Sequence, residues 1–182
     1  MSAPATVGIV DYGMGNRRSV EKALERVGAR ALVTGDHEAL MAADGLIVPG
    51  VGAFPAAMRS LRATGLGLIP GTVSALDARG AKLPHIGWNE VTFRRPAALT
   101  AGLGEAAAFY HVHSFVCRPA DEDDVVGRGS YGEPFASVVA RENVMGAQFH
   151  PEKSSRDGLA LLRNFARLAD RNPAARPQHL PA

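Results

Sequence analysis

The chain has 182 residues, 46% of them hydrophobic, with 20 Lys and Arg against 18 Asp and Glu and one cysteine, Cys117. That length suits a single domain with a real core, and a formal net charge of +2 without a basic run or interleaved aromatics argues against a nucleic-acid groove. One cysteine allows no internal disulfide, and the N-terminus offers only the short apolar run Val7 to Val10, too short for a signal peptide or a membrane span, so the expected setting is the cytoplasm.

Taken in order, "TVGIVDYGMGN" predicts a short buried strand running into a glycine-punctuated turn, with Asn16 placed to cap a helix whose apolar residues Val20, Ala23, Leu24 and Val27 recur at helical spacing. Gly28 ends that helix. "RALVT" predicts a second strand, "DHEALMAA" a short helix capped by Asp36, and "GLIVPG" a third strand of the continuous apolar kind found in parallel sheets. Three strand–helix repeats imply an open α/β sheet with right-handed crossovers.

A helix is expected from about Phe54 to Thr64, after which the rhythm breaks at Gly65. "HIGWNEVTF", "AFYHVHSFVC", "FASVVAR" and "NVMGAQF" then predict a mostly β stretch, closed by the amphipathic helix "GLALLRNFARLA" with Leu159, Leu162, Phe165, Ala166 and Ala169 on one face. The expected organisation is one domain over residues 1–171 followed by a proline-rich, disordered tail, 172–182.

Two short stretches carry candidate chemistry. In "MGAQFHPEKSS", His150 and Glu152 stand two apart across Pro151; in an extended segment such residues project to one side, so Glu152 can orient the imidazole as the acid does in a nucleophile–His–acid triad. A plain ion pair at a strand end fits the same spacing. In "VPGVGAF", two glycines at a strand end allow backbone N–H groups to point at a developing oxyanion, although an ordinary tight turn has the same composition.

Together with "IVDYGMGN", "LPHIGWNEV" and "YHVHSF", in this order and covering about residues 6 to 170, these stretches resemble the glutamine amidotransferase subunits of imidazole glycerol phosphate synthase, which serve histidine biosynthesis. The resemblance implies a flavodoxin-like class I amidotransferase domain, an open, mostly parallel sheet with helices on both faces plus an antiparallel β extension. It implies glutamine hydrolysis through a Cys-His-Glu triad, with His150 as general base, Glu152 as its orienter and an oxyanion hole at Gly50, Val51 and Gly52. Ser114 and Phe115 match positions lining the glutamine site. Pro84, His85, Trp88, Asn89 and Lys153 match the face that docks on a separate (β/α)8 cyclase subunit, the partner with which the family forms a heterodimer. No cofactor and no metal are implied.

One part of the pattern is missing. The family's cysteine lies in a strand–elbow–helix segment of the type Gly-x-Cys-x-Gly, between the helix ending near Thr64 and the strand beginning near Leu68. Such a segment needs on the order of 25 to 35 residues, from ordinary element lengths, and here three stand in its place. One core strand and its elbow helix are therefore expected to be absent, which would leave strands 1 and 3 closed over the gap or buried backbone groups unpaired. Cys117, in "HSFVCRP", has no elbow around it and reads as a thiol packed in a strand. The nearest thing to a serine elbow, "RGSYG" around Ser130, has Arg128 where the first glycine belongs. His85, His111 and His113 lack carboxylate or thiol partners at ligand spacing and read as structural or interface residues.

Overall fold

In a computed structural model, residues 4–13, 15–50 and 69–170 are described. The expected helix at 54–64, the site of the missing elbow and the tail 172–182 lie outside them, as do Val51 and Gly52. The chain divides into two compact units, residues 1–63 with 162–182, and residues 64–161.

The first unit is built on three parallel strands, β1 (Thr6–Val10), β2 (Arg30–Thr34) and β3 (Gly45–Ile47), in the order β2-β1-β3. β1 is central, paired along both edges, and its residues Val7, Gly8 and Ile9 are buried, Val7 and Ile9 fully. β1 and β3 pair directly, Val7 opposite Gly45 through Ile9 opposite Ile47. Of the four residues that the apolar spacing marks, helix α1 (Arg17–Arg26) buries Ala23 and Leu24, while Val20 and Val27 are half-buried. Asn16 stands at its N-cap and its carbonyl accepts the Val20 N–H at 3.2 Å, but its side chain makes no capping bond, against expectation. Gly28, at φ +86°, ends the helix in the left-handed region that glycine enters without penalty. Helix α2 (His37–Met41) is capped as predicted, Asp36 accepting the Ala39 N–H at 2.8 Å.

The second unit is a seven-stranded antiparallel sheet. Its strands are β4 (Gly71–Ala75), β5 (His85–Phe93), β6 (Ala106–His113), β7 (Phe115–Pro119), β8 (Val125–Tyr131), β9 (Glu133–Arg141) and β10 (Val144–Ala147), ordered β4-β7-β9-β8-β5-β6 with β10 on β9. The predicted strand "AFYHVHSFVC" is two strands, broken at Ser114, whose carbonyl takes the Leu76 N–H at 3.0 Å. Ser130 lies within strand β8, opposite Pro134 of β9, so no serine elbow exists there.

Side chains alternate across this sheet as the pleat requires. In β5 the odd-numbered residues from His85 to Val91 turn inward, while Ile86 and Trp88 are 58% and 55% exposed. In β6, Phe109, His111 and His113 are buried. The core they enter also holds Phe135 and Phe149, each worth about 1.5–3 kcal/mol of transfer free energy when buried. Phe149 stacks on Phe109 with ring centroids 3.9 Å apart. Asp124, 4% exposed, is held by both nitrogens of an Arg141 fork at 2.8 Å, which satisfies a charge that burial would otherwise penalise.

Helix α3 spans Ser155–Asp170. Leu161, Leu162, Ala166 and Ala169 are buried along it, while Leu159 and Phe165 are half-buried. No helix among the described residues is long and apolar enough to cross a membrane.

Candidate active site

Burial of Phe149 sets the place of His150. With residue 149 in the core and residue 150 next along an extended chain, the His150 side chain emerges at the rim, 27% exposed. Its N–H donates to the Tyr110 carbonyl at 2.9 Å, which ties it to β6. The expectation that His150 and Glu152 meet across an extended segment is corrected here: residues Pro151–Lys153 form a 3₁₀ turn, begun by the fixed φ of Pro151 at its first position. The turn brings Glu152 back toward the ring. Nδ1 of His150 donates to Oε1 of Glu152 at 3.0 Å, and the carboxylate is 3% exposed.

A carboxylate accepts and cannot donate, so this bond keeps the proton on Nδ1 and leaves Nε2 as the basic nitrogen of the neutral ring. When Nε2 takes up a proton, the nearby carboxylate stabilises the imidazolium. This is the arrangement of a general base with its orienter.

The remaining expected residues fall into two groups. Trp88 lies opposite Tyr110 in the β5–β6 register, on the outward face, with the rings edge to face at 6.2 Å, and Ile86 lies opposite Val112 beside them. Lys153 is exposed in the turn that carries Glu152, and Pro84 is exposed just before β5. His85 and Asn89 point the other way. The Asn89 side-chain amide donates to the Ser130 carbonyl at 2.8 Å, while the His85 ring is 3% exposed and stacks on Tyr131 with centroids 4.1 Å apart. Ile86, within the same segment, is the most exposed large apolar side chain of this strand.

Of the glutamine-site positions, Ser114 sits at the β6–β7 break and Phe115 is 38% exposed, its carbonyl accepting from Nδ1 of His113 at 3.0 Å. Gly50 is exposed at the end of the described first unit. His113 in turn accepts at Nε2 from Nδ1 of His85, 2.9 Å away, and His111 is held between the Phe109 carbonyl at 3.0 Å and the Ser137 hydroxyl at 2.9 Å. Burial, first of all, lowers the pKa of both His85 and His111 to about 4, and lowers that of His113 as well. These rings are neutral members of the core. Among the described residues no group of three or more His, Cys, Asp or Glu could hold a metal ion.

Cys117 departs from its expected packed position, for the residue is exposed on β7. Its strand is regular, with Cys117 opposite Val73 and Ala136. Local desolvation raises the thiol pKa, the reverse of what an activated nucleophile needs.

Comparison with known proteins places these features in a family. Residues 62–169 match the model of glutamine amidotransferase class-I. The chain is 42% identical to the imidazole glycerol phosphate synthase subunit HisH of Moorella thermoacetica, over 89% of this chain and 94% of that protein. It is 43% identical to the HisH of Azospirillum brasilense, over 88% of this chain and 96% of that one. The Moorella alignment runs over 199 positions, whereas 89% of 182 residues is about 162, so about 37 of its positions have no counterpart here. Among solved structures, the chain resembles a putative GMP synthase protein from Thermoplasma acidophilum, with a TM-score of 0.77 at 16% identity, over 93% of this chain and 96% of that one. It also resembles PurLQS from Thermotoga maritima, with a TM-score of 0.71 at 19% identity, over 91% and 99% of the two chains. At these identities the likeness shows the fold alone, the expected α/β amidotransferase architecture with its antiparallel extension.

Proposed function

The chain belongs to the class-I glutamine amidotransferases, in the family of the imidazole glycerol phosphate synthase subunit HisH, and on that premise we propose that it is the amidotransferase subunit of that synthase, acting in the cytoplasm in histidine biosynthesis. It docks on the (β/α)8 cyclase subunit through the outward face of β5 and β6. The observation that carries the proposal is the pairing of His150 with Glu152 at 3.0 Å in a chain 42% identical to a HisH subunit.

The chemistry of such a subunit is hydrolysis of the glutamine side-chain amide. A thiolate attacks the amide carbon, backbone N–H groups at Gly50, Val51 and Gly52 stabilise the oxyanion, and ammonia leaves with a proton from the imidazolium, giving a glutamyl thioester that water then cleaves. His150 moves the proton and Glu152 holds the ring. Ser114 and Phe115 would line the glutamine site. The step this chain lacks is the first. Its one thiol is Cys117, mid-strand and of raised pKa, and the residues of a Gly-x-Cys-x-Gly elbow are not in the sequence.

A specific observation therefore favours a second form of the same function: a subunit that docks without hydrolysing glutamine, leaving the cyclase to use free ammonium. Trp88 and Ile86 support docking, because large apolar side chains held outward on a rigid strand pair are typical interface anchors. Size-exclusion chromatography of the chain mixed with the cyclase subunit tests the proposal. Co-elution as a one-to-one complex is expected; separate elution at micromolar concentrations would contradict it.

A further inference from the structure

We propose that Ser154 is a positioning residue for the base and its carboxylate, an inference that rests on reading His150 as the general base. Its hydroxyl closes a ring of three hydrogen bonds between the rim turn and β6. The His150 N–H donates to the Tyr110 carbonyl at 2.9 Å, the Tyr110 N–H donates to Oγ of Ser154 at 3.0 Å, and the Ser154 hydroxyl donates to the His150 carbonyl at 2.6 Å. Both backbone polar groups of His150 are thereby referred to one residue of the sheet, one directly and one through Ser154.

Three features make this more than ordinary packing. Ser154 is 1% exposed, so its hydroxyl works without competition from solvent. The His150 carbonyl also takes the Lys153 N–H at 3.1 Å, the bond that closes the 3₁₀ turn and returns Glu152 to the ring. Ser154 therefore acts on the element that creates the base–acid pair. The space is also matched to a small side chain, since a Cβ added at Gly158 would lie 2.7 Å from the Cβ of Ser154.

With the anchor removed, the Tyr110 N–H and one lone pair of the His150 carbonyl lose their partner, and the turn is free to relax away from the ring. The proton on Nδ1 is held there by Glu152. An unconstrained neutral imidazole prefers its proton on Nε2, so the tautomer of His150 reports whether the pair remains in place.

The test is ¹⁵N NMR of the imidazoles at pH 7.5 in the isolated full chain, comparing the parent with Ser154→Ala. The parent should show His150 protonated at Nδ1, whereas Ser154→Ala should show Nε2–H as its major form together with faster exchange of the Tyr110 amide. Ser137→Ala, which removes the other buried hydroxyl bonded to a histidine, should lower stability and leave His150 unchanged. A folded Ser154→Ala chain with the parental His150 nitrogen shifts overturns the proposal, as does a parent in which His150 carries its proton on Nε2. Should Ser154→Ala not fold, Ser154→Cys, close in size and a far weaker donor, is read by the same criteria. The measurement needs neither glutamine nor the cyclase, so a failure to dock is a separate result.

Discussion

The imidazoles of His85 and His113 share a single hydrogen bond, Nδ1 to Nε2 at 2.9 Å, although 28 residues separate them in the chain. The β5–β6 register places them opposite each other, and both side chains point into the core of the second unit. Burial keeps His113 neutral, with its Nδ1 proton given to the Phe115 carbonyl, so its Nε2 accepts and Nδ1 of His85 donates the shared bond.

Acid sensitivity follows. The folded pKa values of His85 and His111 are lowered to about 4, against about 6.5 in the unfolded chain, so below pH 6.5 the unfolded state binds more protons than the folded one. Stability should be flat with respect to these groups above pH 6.5 and fall steadily from there to about pH 4, by on the order of a few kcal/mol in sum. Urea denaturation at pH 7.5, 6 and 5 measures this. His85→Gln should flatten the slope.

Gly158 lies inside α3, where replacement of glycine by alanine ordinarily adds roughly 0.5–1 kcal/mol of stability. Here a Cβ would sit 2.0 Å from the Pro151 carbonyl oxygen, against backbone that cannot swing aside. Gly158→Ala should therefore destabilise the chain, by about 1–3 kcal/mol as overpacking does. The sign of the change in the urea midpoint decides the matter.

Much of this was legible in the sequence. The alternation of "HIGWNEVTF" gives β5 with its bounds, and the helical spacing of Val20, Ala23, Leu24 and Val27 marks the face of α1 on which Ala23 and Leu24 are buried. β8 was not legible, because two of its seven residues are glycines. Those glycines are there for room: a Cβ at Gly127 would meet Val91 at 2.8 Å and one at Gly129 would meet Phe135 at 2.7 Å. The proximity of His150 to Glu152 was readable from their spacing, but the turn that produces it was not, since a proline between two polar residues suits a strand end and a helix start equally. Ser154 gave no signal at all. One serine in "EKSS" has no periodicity, and only the register of β6 shows what it holds. The inward turn of His85 and Asn89 likewise depends on knowing which parity of β5 faces the core.

Trp88 is the only tryptophan of the chain and is 55% exposed on the face proposed to meet the cyclase. Its fluorescence should shift to the blue when the cyclase is added, as the indole leaves water. Trp88→Ala should weaken association by about 2 kcal/mol, roughly thirtyfold in Kd, as expected for an aromatic anchor at the centre of an interface. An unaltered Kd would move the interface to another face.

The central claim is that a base and its carboxylate remain where the nucleophile does not. The direct measurement is glutamate released from glutamine by the chain in complex with the cyclase, compared with the His150→Ala variant. The account predicts no difference between the two above background hydrolysis. A clear release of glutamate that His150→Ala abolishes would contradict it.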